Sequence, residues 1–416
     1  MIMKKILKKI IPKFIFSWYH WMLAFLGAVV YSFPSKELKI IGVTGTNGKS
    51  TVVYLVSRIL ESAGYKTAAV SSIQFKVGDN IWDNDLKMTM PGRLKIQQFI
   101  RQAVDEDCKY LVLEVTSEGI KQYRHKFIKF NTAVLTNITP EHIESHGSFE
   151  KYKEAKGKLF KTLGFKGKSI INIDDVNAEY FLGFDKPKQW SYGIDSKAVI
   201  RAKDIQLDNK GTSFMLDNVE INTNLLGKFN IYNTLAAITV GVSEDISLTK
   251  IKSALTEILG IPGRLEIVIR ESFTVIADYA HTPDALEKVY QTLRKVFDGR
   301  LISVLGSAGG GRDKWKRPEM GKIAEKYCDE IIITNEDPYD ENPQTIVDEV
   351  ASGVIDKKIE KIIDRREAIK KALQLAKEGD IVIITGKGCE PWMCVDRGEK
   401  IKWDDREIIK EEFSRL

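Results

Sequence analysis

An α/β fold is predicted for this chain: a central domain on a mostly parallel sheet, then a Rossmann-like α/β domain. Three observations predict it. β-Rich runs alternate with helix-spaced stretches from residue 38 to about 261, a glycine-rich turn joins one such run to a helix at 45–48, and the alternation restarts after Pro262-Gly263. A length of 416 residues leaves room for two or three domains with ample cores. The expected division is a helical leader over 1–37, a central domain over 38–262 and a C-terminal domain over 263–416.

The leader comes first. Lysines at 4, 5, 8, 9 and 13 precede twenty residues, 14–33, without Asp, Glu, Lys or Arg. Such a stretch is long enough to span a bilayer. Lysines ahead of a span, however, stay in the cytosol and push the rest of the chain outside. No small-residue cleavage site marks a secretory signal. Ser17, Tyr19 and His20, with Trp18 and Trp21, suit an interfacial helix with its basic end on anionic lipid. A helix packed on the central domain stands beside that reading.

Next, Leu38-Lys39-Ile40-Ile41 reads as a short buried strand. After the turn, Val52, Leu55, Val56, Ile59 and Ala63 mark one helix face, which Gly64 ends. Between them lies Gly45-Thr46-Asn47-Gly48-Lys49-Ser50-Thr51. Strand, glycine turn and a helix opening on Lys-Ser make a phosphate-binding loop, or P-loop. Gly45 and Gly48 let backbone N–H groups approach phosphates at the positive end of the helix. Lys49 is placed to reach the β and γ phosphates and Ser50 to hold magnesium, so a nucleoside triphosphate is the expected ligand. Val43 stands where the strict pattern has glycine, which makes this a variant loop.

Runs at 110–115, 132–136 and 169–173 supply further strands of the same sheet. An alternating meander at 198–226, turning at Asp208-Asn209-Lys210-Gly211, is expected as an antiparallel addition to the central domain. The second unit's strands are expected at 273–277, 301–305, 330–334 and 380–385. Glu114 ends an otherwise apolar strand, where an acid is costly unless it meets metal or a partner. His142 follows the next strand and is a candidate for the same metal shell.

Composition narrows the class. The formal charge is +6, but the five leader lysines, unmatched by any acid in residues 1–35, leave only +1 for the rest. A near-neutral body argues against a broad nucleic-acid footprint. Cys108, Cys328, Cys389 and Cys394 show neither zinc spacing nor a disulfide pattern, which points to a reduced, cytoplasmic protein.

Several motifs, in order, resemble the Mur ligase family. They are the P-loop, Glu114-Val-Thr-Ser117-Glu-Gly119, Thr136-Asn137 through His142, Tyr152-Lys-Glu-Ala-Lys156, Asn172-Ile-Asp174-Asp175, Gly227-Lys-Phe-Asn230-Ile-Tyr-Asn233 and Pro262-Gly263-Arg264. Asp278-Tyr279-Ala280-His281, Gly310-Gly311-Arg312-Asp313 and Gly386-Lys387-Gly388 continue the series. The similarity runs from about residue 38 to the end, nearest to the branch that adds the third peptide residue to a muramoyl dipeptide. It implies ATP and Mg2+, phosphorylation of a substrate carboxylate, attack of an amine on the acyl phosphate, and release of ADP and phosphate. By resemblance Ser50 and Glu114 hold one magnesium, and His142 helps hold a second with Lys156 modified to a carbamate. Asn230 and Asn233 would sit by the nucleotide, with Arg264, Asp278 and His281 closing over ATP. Thr89, Ser117, Gln122 and Arg124 occupy acceptor-contacting positions. Arg312, Asp337, Pro338, Gly386 and Glu390 occupy those for the incoming amino acid, where Glu390 suits an ammonium and Arg312 a carboxylate. Two domains about a short hinge suit a closure that shields the acyl phosphate from water.

The chain also departs from that pattern. The family's N-terminal uridine-nucleotide domain is replaced by the 35-residue leader, which leaves open whether the acceptor is uridine-linked or lipid-linked and allows a peripheral membrane contact through residues 1–35. The diaminopimelate branch carries Asp-Asn-Pro-Arg where this chain has Glu336-Asp337-Pro338-Tyr339. A tyrosine cannot pair a second carboxylate as arginine does, so lysine or another amino acid enters consideration. Glu118 and Cys389 stand where the branch has histidines. Alternatives are a polyglutamate-adding or cell-wall-amidating relative, and a nucleotide-dependent switch that no longer ligates.

Overall fold

The computed structural model describes residues 13–86, 88–141, 143–184, 188–195 and 197–416. The chain forms two compact bodies, one of residues up to 202 with 232–255, the other of 203–231 with 256–416.

A nine-stranded sheet organises the first body. Its strands are β1 (Lys39–Thr44), β2 (Thr67–Val70), β3 (Gln74–Val77), β4 (Asn80–Asp83), β5 (Tyr110–Glu114), β6 (Thr132–Leu135), β7 (Lys168–Asn172), β8 (Lys188–Gly193) and β9 (Ile200–Arg201). They lie in the order β4-β3-β2-β5-β1-β6-β7-β8-β9, parallel from β2 to β9, with β3 and β4 folded back antiparallel at one edge. β1 is central and buried from Ile40 to Thr44, as a parallel strand covered on both faces must be. Ile40, Leu111, Leu113 and Leu135 pack with Phe99, Ile100, Leu159 and Phe160, while Ile41, Val43 and Val112 are buried on the opposite face.

Four helices of this body bear on function: α1 (Lys13–Val30), α2 (Lys49–Ser62), α3 (Arg93–Asp105) and α4 (Phe149–Lys161). α2 opens directly from the glycine turn, as the sequence predicts. The leader forms α1, and it packs. Ala24 and Ala28 are buried, and Gly27 lies so close to the backbone of Arg93 and Leu94 that a Cβ would stand 3.1 Å from the Arg93 carbonyl. Ser17 and Tyr123 share a 2.7 Å hydrogen bond, and Trp21 and Phe25 meet Phe127 edge-on. Among the described residues no helix is long and apolar enough to cross a membrane.

The second body holds two sheets and a hairpin. β10 (Lys203–Leu207), β11 (Thr212–Leu216) and β12 (Val219–Thr223) form a three-stranded antiparallel sheet. Its turn is where the sequence puts it, with the Asp208 carboxylate accepting from the Lys210 and Gly211 N–H groups. β9 extends the large sheet, while residues 203–231 cluster by contact with the second body. β13 (Glu266–Arg270), β14 (Thr274–Asp278), β15 (Leu301–Leu305), β16 (Glu330–Ile333), β17 (Ile359–Lys361) and β18 (Ile381–Thr385) follow. Their order is β13-β14-β18-β15-β16-β17, parallel except for β13. β19 (Trp392–Cys394) and β20 (Lys400–Lys402) pair as the hairpin. Apolar clusters cover both faces of the six-stranded sheet, so the residues after the carboxyl ends of β14, β15, β16 and β18 are left to build a site.

Candidate active site

The P-loop is held open by its own backbone and its neighbours. Gly45 has φ 150° and Gly48 φ 82°. A Cβ on Gly48 would lie 2.2 Å from Asn233 Oδ1, so this close approach and the left-handed backbone both require glycine. The Asn137 side chain accepts from the Asn47 N–H at 3.0 Å and donates to the Asn47 carbonyl at 3.0 Å, while Thr136 donates to that carbonyl at 2.6 Å. Lys49 Nζ donates to the Thr46 carbonyl at 2.7 Å, and Thr51 is buried in the first turn of α2.

Glu114 faces the loop from the adjacent strand. Ser50 Oγ donates to its carboxylate at 2.7 Å, the Ser72 N–H at 3.0 Å, and Lys49 Nζ stands 3.9 Å away. Ser72, which the sequence did not single out, links this carboxylate to Thr89 through a 2.9 Å hydroxyl contact. Lys156 on α4 is only 1% exposed and donates to the Gly45 carbonyl at 2.6 Å. Burial, with Lys49 beside it, pulls its ammonium well below the ordinary lysine range, although Glu141 and Glu114 act the other way. His142 lies outside the described residues. Its neighbour Glu141 bears on Lys156, a role the sequence did not flag.

The expected acceptor positions gather nearby. Arg93 and Arg124 converge on Gln122: Arg124 donates to the Gln122 side chain at 2.8 Å and to the Met90 carbonyl at 2.5 Å, while Arg93 donates to the Gln122 carbonyl at 2.9 Å. Burial and the Arg93 charge both work against the Arg124 guanidinium. Ser117 meets a ring nitrogen of His146 at 3.2 Å. Glu118 accepts from Gln122 at 2.6 Å.

A second cluster lies in the second body. Asp278, at the end of β14, accepts from the Leu265 and Ala280 N–H groups at 2.7 and 2.6 Å. Arg264 lies over the Tyr279 ring at 4.3 Å, and His281 Nδ1 sits 2.8 Å from the Tyr279 carbonyl. Asn230 donates to the Leu226 carbonyl in this body, whereas Asn233, three residues along the same helix, belongs to the first. Lys387, given no role from sequence, bridges Asp337 at 2.9 Å and Glu390 at 2.5 Å; Tyr279 donates to the other Glu390 oxygen at 3.0 Å. Burial disfavours charge on Arg312, but Tyr279 and Tyr339 hold it cationic. Pro338 backs closely on Gly309, and Gly386 on Glu336. Cys389 is buried and its thiol pushed up to about 11 by burial, which makes it a packing residue rather than a nucleophile.

A strand–loop–helix phosphate site facing a carboxylate one strand over defines a P-loop protein of the nucleotide-handling α/β class. Comparison with known proteins narrows that class. Residues 43–241 match the Mur ligase middle domain, and residues 263–388 match the Mur ligase glutamate ligase domain. The UDP-N-acetylmuramoyl-L-alanyl-D-glutamate–2,6-diaminopimelate ligase of Syntrophomonas wolfei is 41% identical over 401 residues, 94% of this chain and 81% of that one. Its namesake in Aquifex aeolicus is 39% identical, over 91% of this chain and 78% of that one. A solved structure of a ligase with the same description superposes with TM-score 0.63 at 30% identity, over 91% of this chain and 78% of that one. The folylpolyglutamate synthase of Mycobacterium tuberculosis, complexed with ADP and AMPPCP, reaches TM-score 0.72 at 18% identity, over 88% of this chain and 92% of that one, a likeness of fold alone. The chain belongs to the Mur ligase family, and it is an ATP-dependent carbon–nitrogen ligase.

Proposed function

We propose that the chain joins a diamino acid to the muramoyl-dipeptide precursor of peptidoglycan through an acyl phosphate. The observation that carries this reading is the contact of Ser50 and Lys49 with Glu114, beside buried Lys156, in a chain 41% identical to a ligase named for that acceptor. The acceptor carboxylate attacks the γ-phosphorus and ADP leaves. The amine then attacks the acyl carbon, loses a proton, and expels phosphate as the amide forms.

The residues divide the work. Loop N–H groups and Lys49 orient the triphosphate and spread the charge of the transferring group. Asn230, Asn233, Arg264, Asp278 and His281 form the nucleotide's further contacts. Thr89, Ser117, Gln122 and Arg124 take the anionic acceptor, which the mutually repelling Arg93 and Arg124 favour. Arg312 takes the amino acid's carboxylate; Asp337 and Glu390 face its ammonium with Lys387 holding them in register.

Magnesium, when bound, neutralises charge on the phosphates, and Ser50, Glu114, His142 and carbamylated Lys156 would hold it. The described residues fit such a set. Ser50 and Lys49 lie against the Glu114 carboxylate, and buried Lys156, as a neutral amine, would add CO2 and release a proton to supply a further anion. The reaction belongs in the cytoplasm, with residues 1–35 giving a peripheral contact at the membrane's inner face.

The test is product analysis with ATP, a muramoyl dipeptide, and lysine or diaminopimelate. A tripeptide product with ADP is expected. Turnover only with a folate acceptor would transfer the assignment to the polyglutamate-adding relatives, and turnover only with lipid-linked precursor to the amidating ones.

A further inference from the structure

The outer face of α1 is apolar where a solvent-facing helix should be polar. Ile15, Trp18, Tyr19, Leu26, Val29 and Val30 are 42, 63, 47, 44, 46 and 64% exposed. Their spacing places them on one stripe, opposite Ser17, Ala24 and Ala28, which face the body. On neighbouring α3 the exposed positions are mostly polar, Lys95, Gln98, Gln102 and Asp105 against a single apolar Leu94. At about 1.5 Å per residue the stripe is roughly 25 Å long, beyond the scattered exposed apolar residues any soluble body shows.

Its position on the body is secured. Besides the Ser17–Tyr123 bond and the Phe127 ring contacts, the Arg101 guanidinium donates to the Tyr31 carbonyl at 3.2 Å where the helix ends. The stripe is therefore presented by a fixed element and not by a loose tail.

Charge selects the occupant. The sequence leading into α1 pairs Lys4-Lys5 with Ile6-Leu7 and Lys8-Lys9 with Ile10-Ile11, adds Lys13, and contains no acid before Glu37. A protein partner could match the apolar stripe alone, but the five unmatched lysines that the sequence carries at 4, 5, 8, 9 and 13 call for a surface dense in negative charge. Trp18 and Tyr19, in the first half of α1, have the amphipathic rings that settle at headgroup level.

We propose that the outer face of α1 is a docking surface for an anionic lipid bilayer. This inference rests on the peripheral membrane contact assigned above and deepens it by naming the face; it is independent of the acceptor and amino acid. Its experiment leaves the catalytic residues untouched, so the two readings fail separately.

The experiment is flotation of the full chain with vesicles of phosphatidylcholine alone or mixed with phosphatidylglycerol, at low and high salt. The protein is expected to float with the mixed vesicles and not with phosphatidylcholine. A Trp18→Gln, Leu26→Gln, Val30→Gln variant should lose binding by about tenfold or more with ATP turnover kept, since these side chains touch solvent. Lys4→Gln, Lys5→Gln, Lys8→Gln, Lys9→Gln should lose at least about tenfold, together with most of the salt dependence. Equal flotation of the stripe variant and the unaltered chain would overturn the proposal. So would a chain that ignores both vesicles but sediments as a dimer that the stripe variant breaks, because the face would then be a contact between copies.

Discussion

At the scale of single residues, the strongest departure from solution behaviour is Lys156. Its side chain is fully enclosed, and burial together with Lys49 favours the neutral amine that reacts with CO2. Incubation with 13C-bicarbonate is expected to give a carbamate carbon signal that Lys156→Ala abolishes, with turnover falling by about a hundredfold or more as an anion is lost from the site. Absence of the signal in the unaltered protein contradicts the modification. Tyr339 is the second such residue. It adopts a left-handed backbone at φ 52° and approaches Arg312. Tyr339→Arg restores a planar, bidentate partner for a second carboxylate, so kcat/KM for diaminopimelate over lysine should rise about tenfold; an unchanged ratio would show that selection lies elsewhere. The sequence made these residues visible through motif spacing. Ser72 and Arg93 were less legible, because they act by contacts between distant segments and no local pattern announces them; Lys387 sits in the Gly386-Lys387-Gly388 motif, but its two carboxylate partners show only in the fold.

At the scale of elements, one carboxylate ties several together. Glu244, just past the helix Lys228–Ser243, accepts from Lys39 of β1 at 2.7 Å, Tyr110 of β5 at 2.9 Å and Lys168 of β7 at 2.6 Å. Burial alone would raise its carboxyl, but the hydrogen bonds from Lys168 and Lys39 outweigh it and leave it below the ordinary value of 4.5. A depressed carboxyl contributes stability that is present above its unfolded value and is lost as pH falls through the folded one. Lys39 works at the other end: burial opposes its charge, the bond to Glu244 prevails, and it rises to about 12. That contribution is complete below its ordinary 10.5 and is lost as pH climbs through about 12. Glu244→Gln should therefore lower Tm at neutral pH and flatten the fall in Tm on acidification below about pH 4.5. Parallel acid curves for variant and parent would contradict this account.

For the whole molecule, the two α/β bodies were legible because buried parallel strands read as short apolar runs and the glycine turn punctuates the first of them. β1, β5, β6 and β7 begin and end within a few residues of expectation. The strands β2, β3 and β4 were not foreseen: β4, at the sheet edge, is exposed throughout and carries no apolar pattern. Within the candidate site, the loop, Glu114 and Lys156 come together as the motifs suggest. The most direct measurement of the central claim is the stoichiometry of ADP release in the presence of muramoyl dipeptide and diamino acid. One ADP per amide bond, requiring both substrates and falling by about a hundredfold or more in Lys49→Ala, is the expected result; amide formation at the parent rate in Lys49→Ala, or ADP release indifferent to both substrates, would contradict it.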